Sequence, residues 1–512
     1  MNGCLVVSQR CLWLALLLFC GTLGPWSVSR AEELPVPSPF ESALTEPEAP
    51  PPLAEGALPV VSNEELLFRL QQTEARLQQL QAAQPAGGSL MTAMQERWSQ
   101  VRDPSIVTVD QQTRGSSTAK DATKWYDRLS IRGYAQFRYN AVLSEADDSA
   151  PPQHIGDSSV SDDQNFLIRR ARVIFSGDVS DHMYVYLQPD FASSIPGSPD
   201  SNQFAQIRDW YGDLYIDKDK VYRVRIGQSK IPYGWENLQS SSNRLALDRS
   251  DSLNSALRNE RDLGLFFYWT PEEAQDLFKE VLDEGLKGSG NYGVLGLGVY
   301  NGQGGSTIEQ NDNLHVVARL AYPFKLADGQ IVELGIQGYT GKYTVLSSAI
   351  EPLGVGPAIR PLGTLETGNQ AGIRDQRLGG TFVWYPQPFG FQAEWNVGNG
   401  PGLNDAQTEV IERPLYGGYA MMMYRLETEG VGVLFPFAKF NQYRGGFKNE
   451  RNAPFARVNE WELGLEWQFN PQMELVTQYT ITDRTNTRAQ SSGESYRQFD
   501  GQLLRAQFQI NY

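Results

Sequence analysis

The sequence predicts an all-β chain, a 16-stranded antiparallel transmembrane β-barrel preceded by a linker and a short coiled-coil helix. Three observations predict it. From Leu129 onward, apolar and polar side chains alternate with period two in segments of about 9–13 residues. The links between these segments alternate between short and long. Aromatic residues, 11% of the chain, recur at segment ends, among them Tyr139, Trp210, Trp269, Tyr322, Trp384, Tyr385, Trp461 and Phe469. A soluble sandwich also alternates, but its strands are shorter and recur every 8–12 residues or so. A strand that crosses a bilayer needs about 9–11 residues, apolar toward lipid and polar within, with aromatic girdles at the interfaces.

Composition narrows the function classes. The 512 residues carry a formal charge of −16, so a nucleic-acid partner, which needs a basic face, is not expected. All three cysteines (Cys4, Cys11, Cys20) lie in the first 20 residues. A mature chain without that segment has no thiol chemistry, and three histidines (His154, His182, His315) make a multi-His metal site unexpected. No cofactor or metal is expected.

Residues 1–31 read as a secretory signal: Arg10, the apolar run Cys11–Gly24, then Ser29-Arg30-Ala31 as the cleavage signal. A lipid-modified Cys20 is the alternative, and the bulky Phe19 before it is a poor match. Residues 32–60 are a Pro-rich linker, with Pro50-Pro51-Pro52 among them. Residues 61–85 start at a capping box, Ser62 and Glu65, and continue with Leu66, Leu70, Thr73, Leu77 and Leu80 at coiled-coil spacing. The run is too short to stand alone, so it either oligomerises or docks on another surface. Pro85 and Gly87-Gly88 end it, and residues 86–128 read as a tether.

Residues 129–512 are the barrel. Leu129, Ile131, Gly133, Ala135, Phe137 and Tyr139 interleave with Ser130, Arg132, Tyr134, Gln136, Arg138 and Asn140. Leu504, Ala506, Phe508, Ile510 and Tyr512 alternate in the same way at the far end, where a C-terminal aromatic is the usual assembly signal. The short links include Asp178–Ser180, Asp217–Lys220, Gln387-Pro388, Glu427–Gly430 and Asn470-Pro471. The long ones run near 141–165, 193–204, 232–260, 301–312, 343–372, 399–413, 443–455 and 485–499. This is the outer-membrane barrel signature. An even strand number puts both termini, and the N-terminal extension, on the periplasmic side. One link breaks the rule: 271–290, around 20 residues starting at Pro271-Glu272-Glu273, stands where a short turn belongs and has room for a small helix.

Such a barrel leaves a water-filled channel whose selectivity depends on inward charge. The inward arginines on early strands are Arg132, Arg138, Arg170, Arg172, Arg223 and Arg225. A guanidinium fork fits phosphate or carboxylate oxygens, and same-face neighbours roughly 7 Å apart can pass an anion along. Arg169 falls on the apolar face, so it either caps its strand at the membrane rim or is re-aimed by a bulge. Asp190, Asp209, Asp213, Glu394, Glu462 and Glu466 also point inward and create a transverse field of the kind found in general porins. The third long link carries Arg244, Arg249, Arg258 and Arg261, basic residues that form a gate if it folds inward and an exposed loop if it does not. Loop carboxylates such as Glu145, Asp147, Asp148, Asp162 and Asp163 face divalent cations and lipopolysaccharide. No hydrolase motif is present, and His182 and His315 have no evident Ser partner, so an enzyme is not expected.

Four motifs point further. Phe166-Leu167-Ile168-Arg169-Arg170-Ala171-Arg172 resembles the F-x-I-R-R-A-R segment of the phosphate-selective porins O and P. Arg223–Gly234, with Gly227-Gln228-Ser229-Lys230-Ile231-Pro232-Tyr233-Gly234, resembles their R-V-G-Q-F-K-x-P-F-G stretch, with Ser229 in place of the aromatic and Tyr233 in place of Phe. Arg261-Asp262-Leu263-Gly264 and Val299-Tyr300-Asn301-Gly302 match their R-D-x-G and F-N-G elements. The resemblance implies a 16-stranded homotrimeric porin in which Arg169, Arg170, Arg172 and Lys230 are pore-facing cations. The expected function is passive diffusion of small anions, phosphate or polyphosphate among them, through the outer membrane. The alternatives are a general non-selective porin, a structural anchor with a periplasmic coiled coil, and an outer-membrane hydrolase.

Overall fold

The computed structural model describes residues 125–145, 160, 165–192, 205–305, 307–486, 497–498 and 500–512. The signal segment, the Pro-rich linker, the coiled-coil helix and nearly all of the tether lie outside the described residues.

Sixteen antiparallel strands form one closed sheet. They are β1 (Leu129–Glu145), β2 (Asn165–Ser180), β3 (Met183–Asp190), β4 (Gln206–Tyr215), β5 (Tyr222–Lys230) and β6 (Arg261–Trp269). Then come β7 (Leu295–Tyr300), β8 (His315–Lys325), β9 (Ile331–Tyr343), β10 (Ile373–Trp384), β11 (Phe389–Leu403) and β12 (Val410–Tyr424). The last four are β13 (Gly432–Gly446), β14 (Phe455–Asn470), β15 (Met473–Asn486) and β16 (Gly501–Asn511). Two fragments, Leu426–Thr428 and Arg497–Gln498, prolong the edges of β13 and β15. Each strand pairs with its chain neighbour, and β1 pairs with β16 from Tyr134↔Asn511 to Glu145↔Gly501. No sheet edge is left open, which satisfies the backbone in a medium that offers no hydrogen bonds.

The two faces are the inverse of those of a water-soluble protein. Outward positions expose Ile131, Trp210, Ile226, Leu378, Met422, Trp461 and Ile481, whereas inward positions bury Arg138, Arg225, Glu394, Lys439, Glu466 and Arg505. An apolar belt this continuous is unfavourable in water and favourable against lipid tails.

The strands differ from the sequence expectation mainly in length. β1 has 17 residues, and β11 and β12 run on until only 404–409 connects them, a shorter link than 399–413. The extra pairing, Gly400↔Arg413 to Leu403↔Val410, carries the hairpin beyond its apolar belt, where backbone pairing continues without lipid contact.

Two of the ladder's register shifts fall on arginines. Gln136 faces Arg170 and Phe137 faces Ile168, leaving Arg169 as the extra residue of β2. Gln188 faces Asp209 and Pro189 faces Ile207, leaving Arg208 as the extra residue of β4. A bulge turns its extra side chain away from strict alternation, and both arginines are buried.

Among the described residues, two helix-bearing links fold into the lumen. The third long link (231–260) contains α1 (Trp235–Leu238) and α2 (Asp251–Asn254), both single turns whose residues are all buried. The long link at the opposite end begins with α3 (Glu272–Asp283), which buries Ala274, Phe278, Val281 and Leu282. It continues as a strap (284–294) in which Leu286, Lys287, Ser289, Tyr292 and Val294 are buried.

Candidate functional site: an arginine-lined opening beside a lumenal loop

The third long link crosses the lumen because polar side chains on nearly every part of the wall hold it there. At its start, Tyr233 donates to Asn396 Oδ1 at 2.5 Å, and the backbone N–H groups of Trp235 and Glu236 donate to the Glu394 carboxylate at 2.6 and 3.1 Å. Glu236 in turn receives Lys439 at 2.7 Å. Further on, Arg377 donates to the Ser252 and Ser255 carbonyls, Arg484 pairs with Asp251 at 3.0 Å, and Arg505 pairs with Asp248 at 2.6 Å. Gln136 and Gln509 donate to the carbonyls of Ser241 and Ser242. An apolar layer joins Leu238, Leu245, Leu253 and Ala256 of the link to Tyr419, Met421, Phe435 and Phe437 of the wall.

The strap supports the link from the other end of the barrel. Gln239 donates to the Lys287 carbonyl at 2.6 Å and Asn243 to the Gly288 carbonyl at 2.9 Å. Lys287 itself forms an ion pair with Glu466. Sequence reasoning expected a small helix here; nothing in the segment's pattern signalled that its continuation enters the lumen.

Residual exposure locates the opening. On the β10–β14 side Asn396 and Lys439 are at 0% and Glu394 at 1%, with Thr381 at 8%. On the β2–β4 side, Arg170 and Arg208 retain 7%, Arg244 5%, and Ser241 and Asn243 9%. This residual exposure lies between the early wall and the segment 241–244, which the wall also holds through Gln136 and Arg172, and arginines stand on both sides of it. Arg170 lies within electrostatic reach of Arg169, Arg172, Arg244 and Arg138.

These cations differ in their partners. Arg172 pairs with Asp190 at 2.7 Å and also donates to Tyr134 Oη and Ser241 Oγ. Arg261 pairs with Asp209 at 2.8 Å and Glu260 at 2.6 Å, and Arg249 with Glu260 at 3.0 Å. Arg138 faces Asp248 and donates to Gln507. Arg170, by contrast, donates to Gln136 Oε1, Arg208 to Gln206 Oε1 and the Asn259 carbonyl, and Arg244 to the Ala246 carbonyl. Among the described residues none of these three has a carboxylate partner, and Arg244 Nη1 and Arg208 Nε are buried with no acceptor.

The remaining sequence-derived candidates stand elsewhere. Arg225 holds Asp213 with two bonds, at 2.7 and 2.9 Å, and lies 3.7 Å from the centre of the Tyr211 ring. Arg223 faces the same Asp213 and donates to the Asn291 carbonyl of the strap. Arg132 donates to Ser176 Oγ toward the short-turn end. Lys230 donates to the carbonyls of Leu238 and Gln239 at 3.0 Å. Arg258 opens the one-turn 3-10 helix Arg258–Glu260. Arg208, Ser241 and Asn243 were missed by sequence reasoning. Alternation puts Arg208 on the lipid face, and only the bulge beside Pro189 turns it inward.

Solved structures with a similar fold include OmpF of Salmonella typhi in complex with daunomycin, 12% identical, covering 75% of this chain and 97% of that one at a TM-score of 0.47. The outer-membrane channel DcaP of Acinetobacter baumannii is 12% identical, with coverage of 75% and 97% and a TM-score of 0.44. An anion-selective porin from Comamonas acidovorans is 9% identical, with coverage of 75% and 99% and a TM-score of 0.41. No curated protein sequence matches the chain significantly. The family model for phosphate-selective porins O and P matches residues 153–512, every strand but the first, and the chain belongs to that family of outer-membrane porins.

Proposed function

We propose that this porin conducts small anions, phosphate or polyphosphate among them, with a bias set at the opening between β2–β4 and the inserted link. The supporting observation is that Arg170, Arg208 and Arg244 have no ion-pair partner among the described residues, in a lumen whose other buried ions are largely paired. A permeating anion meets donors that no carboxylate grips directly, with Glu260 and Asp190 acting on Arg208 from further off, and it is held by side chains and not by a closed cage. Conduction needs that balance, since a solute must leave as readily as it enters. The same reading makes the protein a homotrimer, with its long loops facing lipopolysaccharide and its short turns and N-terminal extension facing the periplasm.

A general, weakly selective porin is the second reading, favoured by the acidic groups Glu394, Glu462 and Glu466 on the wall opposite the arginines. Reversal potentials of the purified protein in a planar bilayer under a salt gradient separate the two. The anion reading expects chloride to permeate several-fold better than potassium, phosphate to block chloride current, and the pair Arg170→Ala and Arg244→Ala to lower the ratio. A permeability ratio near unity, indifferent to those substitutions, would reject it.

A further inference from the structure

Glu260 brings a negative charge to the side of the opening where anions are to pass. Its carboxylate meets Arg249 Nη1 at 3.0 Å and Arg261 Nη1 at 2.6 Å, and Lys230 and Arg208 also act on it electrostatically. The backbone that delivers it is unusual. Asn259 and Glu260 are consecutive non-glycine residues with φ of 56° and 69°, a left-handed pair that costs conformational energy and persists only where surroundings enforce it. The pair turns the chain from the inserted link into β6, directs the Asn259 carbonyl to Arg208 and Arg261, and leaves the Glu260 side chain between two guanidinium groups.

The partners of Glu260 are not equivalent. Arg261 has a second carboxylate, Asp209, at 2.8 Å. Arg249, its side chain 10% exposed, has Glu260 as its one ion-pair partner among the described residues, feels the more distant Glu236 charge, and donates to Asn237 Oδ1. Without the Glu260 charge, Arg249 becomes a fourth cation with no ion-pair partner among the described residues, beside Arg170, Arg208 and Arg244.

We propose that Glu260 is a specificity-determining residue which lowers anion affinity at the opening by neutralising Arg249, so that a bound anion is released instead of trapped. This rests on the anion-conducting reading above. The opening is then tuned by subtraction: three guanidiniums attract, a fourth is held in reserve by one carboxylate, and passage stays fast because the well stays shallow.

The test is single-channel conductance against chloride concentration, with inorganic phosphate as blocker, for the full chain and for Glu260→Gln. The variant is expected to saturate at about tenfold lower chloride, to carry a smaller maximal current, and to be blocked by about tenfold less phosphate. Arg249→Gln added to Glu260→Gln should return both values toward those of the unaltered protein. Glu260→Gly, which relieves the left-handed backbone while removing the charge, should behave as the Gln variant does and guards against misfolding. A channel whose unaltered form prefers cations removes the underlying reading. An anion-selective channel whose Gln and Gly variants saturate at the original concentration, or merely become larger and noisier, reduces Glu260 to a brace for the loop and overturns this proposal alone.

Discussion

Arg225 lies over the Tyr211 ring with two bonds to Asp213, whereas Arg244 makes one bond, to the Ala246 carbonyl. Both are arginines near the lumen, and their replacement should have opposite consequences. Arg225→Ala takes two hydrogen bonds from the fully buried Asp213 carboxylate, which keeps the 3.6 Å contact to Arg223. Losing one partner of a buried pair costs about 3–5 kcal/mol, so a fall in urea resistance is expected with little change in ion preference. Arg244→Ala removes an unpaired charge and should lower the chloride-to-potassium ratio several-fold while leaving the unfolding midpoint in place. A second residue-scale expectation concerns pH. The Asp217 carboxylate accepts the N–H groups of Val221 and Tyr222, each at 2.8 Å, in the exposed turn before β5. Burial would raise its pKa slightly, but these backbone bonds outweigh it and hold the carboxyl below its usual value. A depressed carboxylate stabilises above the unfolded pKa, about 3.9, and its contribution disappears as pH falls through the lowered folded value. Asp217→Asn should therefore narrow the difference in stability between pH 6 and pH 3, measured by urea unfolding. Arg170 and Arg172 were legible because period-two alternation assigns faces directly. Arg208 was not, since a bulge shifts the parity by one and one chain's alternation does not announce it.

The inserted link crosses the lumen, and its position is set at both ends. Glu394 receives two backbone N–H groups at the start of α1, and Arg377 holds the Ser252 and Ser255 carbonyls around α2. Glu394→Ala should free the first anchor and leave the strands closed, so unitary conductance is expected to rise and to fluctuate, recorded in the same bilayer. An unchanged, quiet current would show that the other anchors suffice. The basic content of this link was evident from its residues, and so was the choice between an inward gate and an exposed loop. Its inward course follows from side chains on distant strands all round the wall, which no local pattern encodes. The strap 284–294 illustrates the same limit: Gly288, Gly290 and Gly293 read as loop, and only the distant Glu466 explains where Lys287 goes.

At the scale of the whole molecule, strand number and antiparallel order were legible because link lengths alternate along the chain. Strand ends were not, since pairing in β11 and β12 outlasts the apolar belt. The closing seam between β1 and β16 includes Tyr512. Gly133 and Tyr512 exchange backbone bonds of 2.6 and 2.9 Å, and Tyr512 Oη donates to the Arg172 carbonyl at 3.1 Å. A Cβ on Gly133 would lie 2.2 Å from that carbonyl and 2.6 Å from the Tyr512 ring. Deleting Tyr512, or Gly133→Val, should thus reduce the fraction of protein that resists heating in detergent, read as the faster-migrating band on a gel.

The seam also sets the order in which the protein can be made. Like the hoop of a cask, the first and last staves meet only once every other is in line. Until then both outer staves offer bare edges, and the greasy faces between them have no lipid to enter. Until the ring has closed, a chain built this way offers its seam to any neighbour with a matching edge.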